Sequence, residues 1–335
     1  MKDVATTVVS VDADRPDEEV MAKAADVIRR GGLVAMPTET VYGLAADALS
    51  EEAVARIFVA KQRPATNPLI VHVASVEQAR KLAGQWPLKA EKLCEAFWPG
   101  PLTLVVPRAA HIPDAVTAGL DTVALRMPAH PVARALIEVA ERPIAAPSAN
   151  RYTEVSPTTA KHVLAGLEGR VDLILDAGST EVGLESTLVS VVDEPARLLR
   201  PGMISREQLS KWVSLADEEA DKSLVVDEDI ARSSPGLSKL HYSPSATVRV
   251  VDASAFSRLL KNDGAKSRRF IALGDDKGAD GVICLPTTPA AYAKRLYAAL
   301  HEADSHGVSE IIVERPPGQG AWEAIVDRLR RAQGG

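Results

Sequence analysis

The stretch GGLVAMPTETVYGL, residues 31–44, decides how the first half of this 335-residue chain is read. Gly31-Gly32 stops a run over residues 17–30 in which Val20, Met21, Ala24, Val27 and Ile28 recur at helical spacing. Leu33 to Met36 is then a short apolar strand that Pro37 breaks. The polar Thr38-Glu39-Thr40 that follows reads as a strand-to-helix turn with capping hydroxyls. Helix, buried strand and polar turn form the unit of an α/β domain, and the unit recurs downstream. Ser50 can cap a helix carrying Val54, Ile57 and Phe58, which Pro64 must end. Leu69 to Val73 is the next strand, and Ser75-Val76-Glu77-Gln78 starts a helix with a capping box. Further strands fit residues 102–106, 123–126, 144–146, 173–175, 187–192 and 197–199. The crowding of strands after residue 170 implies a mixed sheet.

The character changes between residues 206 and 246. Asp217 to Asp229 holds seven acidic residues against one lysine, and Ser233-Ser234-Pro235-Gly236 and His241-Tyr242-Ser243-Pro244 follow. Charge, Ser, Pro and Gly together mark a linker. Beyond it, strands fit 247–251, 270–273, 282–285 and 311–313, with helices at about 289–304 and 320–331. The chain therefore divides into a first α/β domain over 1–205, a linker over 206–245 and a smaller α/β domain over 246–335.

Composition narrows the function. The 45 acidic residues outnumber 39 basic ones, giving a formal charge of −6, and aromatics are 4% of the chain. Neither suits a protein that coats nucleic acid by neutralising phosphates or stacking bases. Cys94 and Cys284 are too few and too distant for a disulfide framework or a thiolate metal site. No apolar run approaches the roughly 20 residues of a membrane span, and no export signal opens the chain, so a cytoplasmic location is expected. A Walker-type loop, a complete GxGxxG and a G-x-S-x-G elbow are all missing, and Gly318-Gln319-Gly320 has Glu323 where a third glycine belongs. The seven histidines lack zinc-ligand spacing.

What remains is a series of polar groups at element ends. Lys61 and Arg63 lie at a helix C-terminus and lead into Pro64; they are either a solvated helix end or cations fixed against a triphosphate. Thr122, Ala124 and Arg126 share a strand face, which makes Arg126 an edge residue or an anion ligand. Ser148 and Asn150 follow a strand. Ser156 fits an N-cap with Pro157 at the first helical position, and such a helix start can also take phosphate. Gly183-Leu184-Glu185-Ser186-Thr187 and Arg200-Pro201-Gly202 complete the series.

In order and content these groups resemble the YrdC-like domain of threonylcarbamoyl-AMP synthases over about residues 15–205. The K-x-R pair Lys61/Arg63 and the S-x-N pair Ser148/Asn150 are that family's signature, here with PTETVYGL, NPLIVH, FWPGPLTLV, ESTLV and RPG around them. The Ser234-Pro235-Gly236 and His241-to-Pro244 segments resemble the linker of its two-domain form, whose second domain is Rossmann-like. The resemblance implies an open twisted mixed sheet and a nucleotidyltransferase that makes threonylcarbamoyl-adenylate and pyrophosphate from L-threonine, bicarbonate and ATP with Mg2+, feeding a tRNA threonylcarbamoyl transferase. It implies that Thr40, His72, Arg126, the backbone at Ala146, and Ser186 hold threonine. Lys61, Arg63, Asn67, Thr122, Ser148, Ser156 and Arg200 would meet ATP, with Lys61 and Arg63 catalytic, Asn150 orienting Ser148, and Tyr242 a lid over the nucleotide. It implies no metal site built from side chains. Two competing readings are a carbamoyltransferase of hydrogenase maturation, whose zinc-finger and acylphosphatase parts are missing here, and an RNA-binding maturation factor using the basic face of the same domain.

Overall fold

A computed structural model describes residues 4–217, 242–262, 267–274 and 281–334. The linker residues from Ser233 to His241 lie outside them. The first domain is built on ten strands: β1 Thr7–Ser10, β2 Val34–Met36, β3 Gly43–Asp47, β4 Ile70–His72, β5 Leu102–Pro107, β6 Thr122–Arg126, β7 Ile144–Ala145, β8 Leu173–Asp176, β9 Thr187–Ser190 and β10 Arg197–Arg200. They form one sheet in the order β1-β8-β2-β3-β7-β4-β6-β5-β9-β10. Parallel pairs such as β4–β6 and β5–β9 alternate with antiparallel ones such as β5–β6, so the sheet is mixed. The second domain carries β11 Thr247–Val251, β12 Arg268–Leu273, β13 Val282–Leu285 and β14 Glu310–Glu314 in a parallel sheet ordered β11-β14-β12-β13.

Strand alternation sorts side chains into two layers, and one layer stops halfway across the large sheet. One face carries Ala35, Leu44, Val71, Leu104, Leu125 and Val189 into a large core with the helices Glu51–Lys61 and Leu88–Phe97. On the other face, the helices Glu18–Arg29 and Pro131–Ala140 cover β2, β3, β7 and β8 through Met36, Ala45, Ile144 and Leu175. Beyond them the same face has only a thin floor of Ile70, Val105, Ala124, Leu188 and Leu199. That uncovered half is where a cleft forms.

The second domain docks beside the cleft. Val41, Val155 and Leu184 of the first domain are buried in one cluster with Tyr242, Tyr292, Ala293 and Tyr297. Gly183, at φ +78°, marks a close approach: a Cβ there would stand 2.6 Å from the Ala293 carbonyl oxygen and from Lys294 Cα. His162 and His301 stack across the junction with ring centres 4.0 Å apart.

Several local expectations change. Thr38 to Tyr42 leads into a strand, not a helix: β3 pairs antiparallel with β2, Met36 opposite Gly43. Thr38 Oγ1 closes this turn, donating to the Val41 carbonyl at 2.6 Å and accepting from the Thr40 and Val41 N–H groups at 3.2 Å. Ser156 does not cap a helix; the helix begins at Ala160 with Thr159 as its cap. Ser75 does cap, but Gln78 reaches the Ala74 N–H rather than that of Ser75. Residues 206–217, at the start of the stretch read as linker, include the helix Arg206–Ser210 and bury Leu209 and Val213 in the first domain's core. Strand β1 and the helix Ala253–Lys261 have no counterpart in the sequence reading.

Candidate functional site

The cleft is open to solvent on one side and draws its walls from loops far apart in sequence. In register on neighbouring strands, His72 of β4 stands beside Arg126 of β6. Ile70 and Ala124, two residues earlier on each strand, floor the same face. Arg126 is 4% exposed, and each of its three nitrogens has one partner: it donates to Glu39 Oε1 at 2.7 Å, to Thr40 Oγ1 at 2.9 Å and to the Gly100 carbonyl at 3.3 Å. Among the described residues Glu39 Oε2 and His72 Nδ1 have no partner. Burial, followed by the nearby Arg126 charge, pushes the His72 pKa down to about 3, so its imidazole is neutral at pH 7 and can accept a hydrogen bond.

Arg200 reaches the cleft through a bulge. Leu198 of β10 pairs with Val189, yet Leu188 pairs with Arg200, so Leu199 is the extra residue. Without that insertion, alternation would turn Arg200 away from Leu188 and the cleft floor. Arg200 donates to the Ser186 carbonyl and, at 3.2 Å, to Ser186 Oγ, which also bonds Thr103 Oγ1 at 2.7 Å. Arg63 enters because Gln62 takes a left-handed conformation, φ 54°, and ends the helix. Its guanidinium donates to the Pro68 carbonyl at 3.1 Å and lies 5.8 Å from the Tyr152 ring centre. Burial pushes its pKa down to about 10, which leaves it charged.

Of the residues singled out from sequence, Thr40, Arg63, His72, Arg126, Ala146, Ser148, Ser186, Arg200 and Tyr242 line this cleft. Others do not. Lys61 is 1% exposed, and Nζ lies 2.5 Å from both the Ser148 and the Asn150 carbonyl oxygens. It braces the loop, and burial, then Arg63, drives its pKa well down. Asn150 donates to the Arg151 and Glu154 carbonyls, and Asn67 to Tyr152 Oη. Thr122 begins β6, about 13 Å along the strand from Arg126. Ser156 donates to Glu185 Oε1 at 2.6 Å.

Sequence reasoning passed over two carboxylates, Glu39 and Glu185, each inside a quoted motif. Glu185 also lines the cleft, and Tyr297 Oη and Arg328 Nε bond its other oxygen at 2.9 and 2.7 Å. Burial would raise its pKa, but Arg328, Arg200 and the Ser156 hydroxyl outweigh burial and hold it below the usual range.

Residues 26–202 match the family profile described as telomere recombination, which groups Sua5, YciO and YrdC. Residues 204–334 match that of the threonylcarbamoyl-AMP synthase C-terminal domain. A threonylcarbamoyl-AMP synthase of Pyrococcus abyssi is 43% identical, with 98% of each chain covered. The chain belongs to the threonylcarbamoyl-AMP synthase family. It is thus an enzyme of nucleotidyltransferase type. A synthase of Bacillus subtilis is 42% identical over 94% of this chain and 93% of that one. The crystal structure of P. abyssi Sua5 complexed with L-threonine superposes with a TM-score of 0.89 at 42% identity, covering 98% of both chains. Escherichia coli YciO, 22% identical with a TM-score of 0.52 over 59% of this chain and 96% of that one, shares the fold. The expected mixed α/β architecture and the family resemblance both hold. Among the described residues no helix is long and apolar enough to cross a membrane.

Proposed function

We propose that the cleft joins L-threonine, bicarbonate and ATP into L-threonylcarbamoyladenylate and pyrophosphate, for threonylcarbamoyladenosine modification of tRNA by a separate transferase in the cytoplasm. The supporting observation is one cleft lined by two chemically distinct groups of residues. In one group Arg126 bonds Thr40 and stands beside a neutral His72; in the other, Arg63 and Arg200 feel each other's charge, and the Ser148 loop lines the same cleft. Arg126 suits a carboxylate, through the bidentate geometry that guanidinium offers. His72 Nδ1 suits the threonine ammonium or hydroxyl, since an uncharged acceptor does not repel a cation. Arg63 and Arg200 suit phosphate oxygens.

The amine nitrogen adds to the bicarbonate carbon with loss of water, and a carbamate oxygen then attacks the α-phosphorus, releasing pyrophosphate. Two anions must meet, so the enzyme's contribution is charge, alignment and exclusion of water. Arg63 and Arg200 supply charge, the Ser148 loop braced by Lys61 supplies alignment, and the Tyr242 ring, 1% exposed, walls the cleft against water. No group of three or more His, Cys, Asp or Glu among the described residues could hold a metal ion, and Glu185 already accepts from Ser156, Tyr297 and Arg328. Mg2+ would therefore arrive on the triphosphate, and no step is assigned to it.

The test is pyrophosphate release by the purified full chain with each substrate omitted in turn, and the product identified by mass. Release that needs threonine, bicarbonate and ATP together supports the reading. Equal release without threonine would refute it.

A further inference from the structure

We propose that Arg328, in the last helix of the second domain, is a positioning residue for the synthase cleft: it fixes Glu185 and the Pro201 turn in the cleft wall and Tyr242 over it. The inference rests on the synthase reading, and it gives the second domain a share in the site's geometry.

Arg328 is among the largest side chains with under 2% exposure among the described residues, and the three nitrogens of its fork face three different segments. Nε donates to Glu185 Oε2 at 2.7 Å, Nη2 to the Pro201 carbonyl at 3.0 Å, and Nη1 to Asp327 Oδ2 at 2.6 Å. Its guanidinium carbon also lies 5.2 Å from the centre of the Tyr242 ring, which stacks with Tyr297 at 5.8 Å. Glu185 and Tyr242 line the cleft, and Pro201 follows Arg200, which does so too. Arg328 itself does not line it.

The physical consequence concerns Arg200. Glu185 is a buried carboxylate with Arg200 near enough to feel its charge. While Arg328 neutralises Glu185, Arg200 stays with Ser186 at the cleft. Without Arg328, Glu185 loses its ion-pair partner, and the other guanidinium whose charge it feels is the one expected to bind phosphate. Arg200 would turn to Glu185, and the Tyr242 ring would lose the cation it rests on. Lysine cannot replace the fork, because its donors all sit on one nitrogen and cannot span acceptors arranged around a planar guanidinium.

The experiment uses the full chain with Arg328→Gln, Arg328→Lys and Tyr297→Phe, and Arg330→Gln as a control whose side chain is 64% exposed and also bonds Asp327. Steady-state pyrophosphate release gives kcat and KM for ATP and threonine separately, and calorimetry gives the ATP Kd. Arg328→Gln should raise the KM and Kd for ATP at least tenfold and lower kcat, with a smaller factor on the threonine KM. Arg328→Lys should fall between it and wild type, Tyr297→Phe should raise the ATP KM severalfold, and Arg330→Gln should match wild type. If Arg328→Gln fails to fold, the other two variants decide. Wild-type KM and Kd for ATP in every variant that folds, or a loss of kcat that only tracks the unfolded fraction, would overturn the proposal. Wild-type protein that binds ATP but shows no threonine-dependent release sinks the synthase reading alone, and the ATP Kd values then judge Arg328; if it fails to bind ATP as well, both fall.

Discussion

Replacing Lys61 by methionine tests whether this lysine braces a loop or touches substrate. The ammonium is 1% exposed and donates to the Ser148 and Asn150 carbonyls. Hydrogen bonds to a charged group contribute about 1.5–3 kcal/mol each, and methionine keeps the stem's volume while removing both. Burial and the neighbouring Arg63 disfavour the charge, as its lowered pKa records, so part of that gain is already offset in the native protein. A net loss of about 2–4 kcal/mol follows, since two buried carbonyls are left without their donor. At about 2–4 °C per kcal/mol for a unit of about 200 residues such as the first domain, its Tm should fall by roughly 5–15 °C. Synthesis should fall too, because the Ser148 loop is no longer held. Arg63→Ala should behave in the opposite way: one carbonyl bond, to Pro68, is lost, Nε has no partner among the described residues, and the side chain lines the cleft. Its Tm should stay within about 3 °C of wild type while turnover falls about a hundredfold, the scale for removing one charged contact to a developing phosphoryl charge. Calorimetric melts without ligands, beside pyrophosphate release, read both numbers. Lys61→Met that melts with wild type yet makes no product would refute the bracing role and make Lys61 a substrate ligand.

The stacked histidines should make the domain junction acid-sensitive. Burial, then His301 and Lys161, pushes His162 down to about 4; His301 is also lowered by burial, against the opposing Ser156 carbonyl and Asp304. Both take up protons more readily when unfolded, so stability is full above the ordinary histidine pKa of about 6.5 and falls as pH drops toward 4. Urea unfolding between pH 7 and 4.5 should show a steeper loss for wild type than for His162→Phe; parallel curves would remove the histidines as the cause. Glu39→Gln removes the carboxylate paired with the buried Arg126 and should cost about 2–4 kcal/mol, because the arginine then lacks its anion. Added threonine, bringing a carboxylate to that arginine, should raise Tm more in Glu39→Gln than in wild type, and an equal shift would place the threonine carboxylate elsewhere.

How much of this was legible in the sequence follows from the range of each interaction. Signals that act within a few residues were readable: Ser50 as a cap, the stop at Gly31, the apolar run up to Met36, and the helix from Pro289 to Asp304 all stand. Arg126 was readable as far as its face, since strand alternation sets it beside Ala124, but not its partner, because Glu39 is 87 positions away. Glu185 and Arg328 are 143 apart, and nothing in the spacing of either could announce the pair. Strand β1 escaped notice for the same reason. Its side chains are mostly exposed, so no apolar pattern marks it, and what makes it a strand is pairing with Leu173 to Asp176. Lys61 shows the limit most sharply. A lysine ending a helix before a proline reads equally as solvated or as anion-binding, and the choice depends on two carbonyls nearly ninety residues on, Ser148 and Asn150. Family resemblance named nine residues that line one cleft together with five that do not, because it carries tertiary information that one sequence lacks. It carries that information as membership in a site, without saying which member touches substrate and which holds another member still. The division between Arg63, open to the cleft, and Lys61, turned from it, came only from the folded geometry.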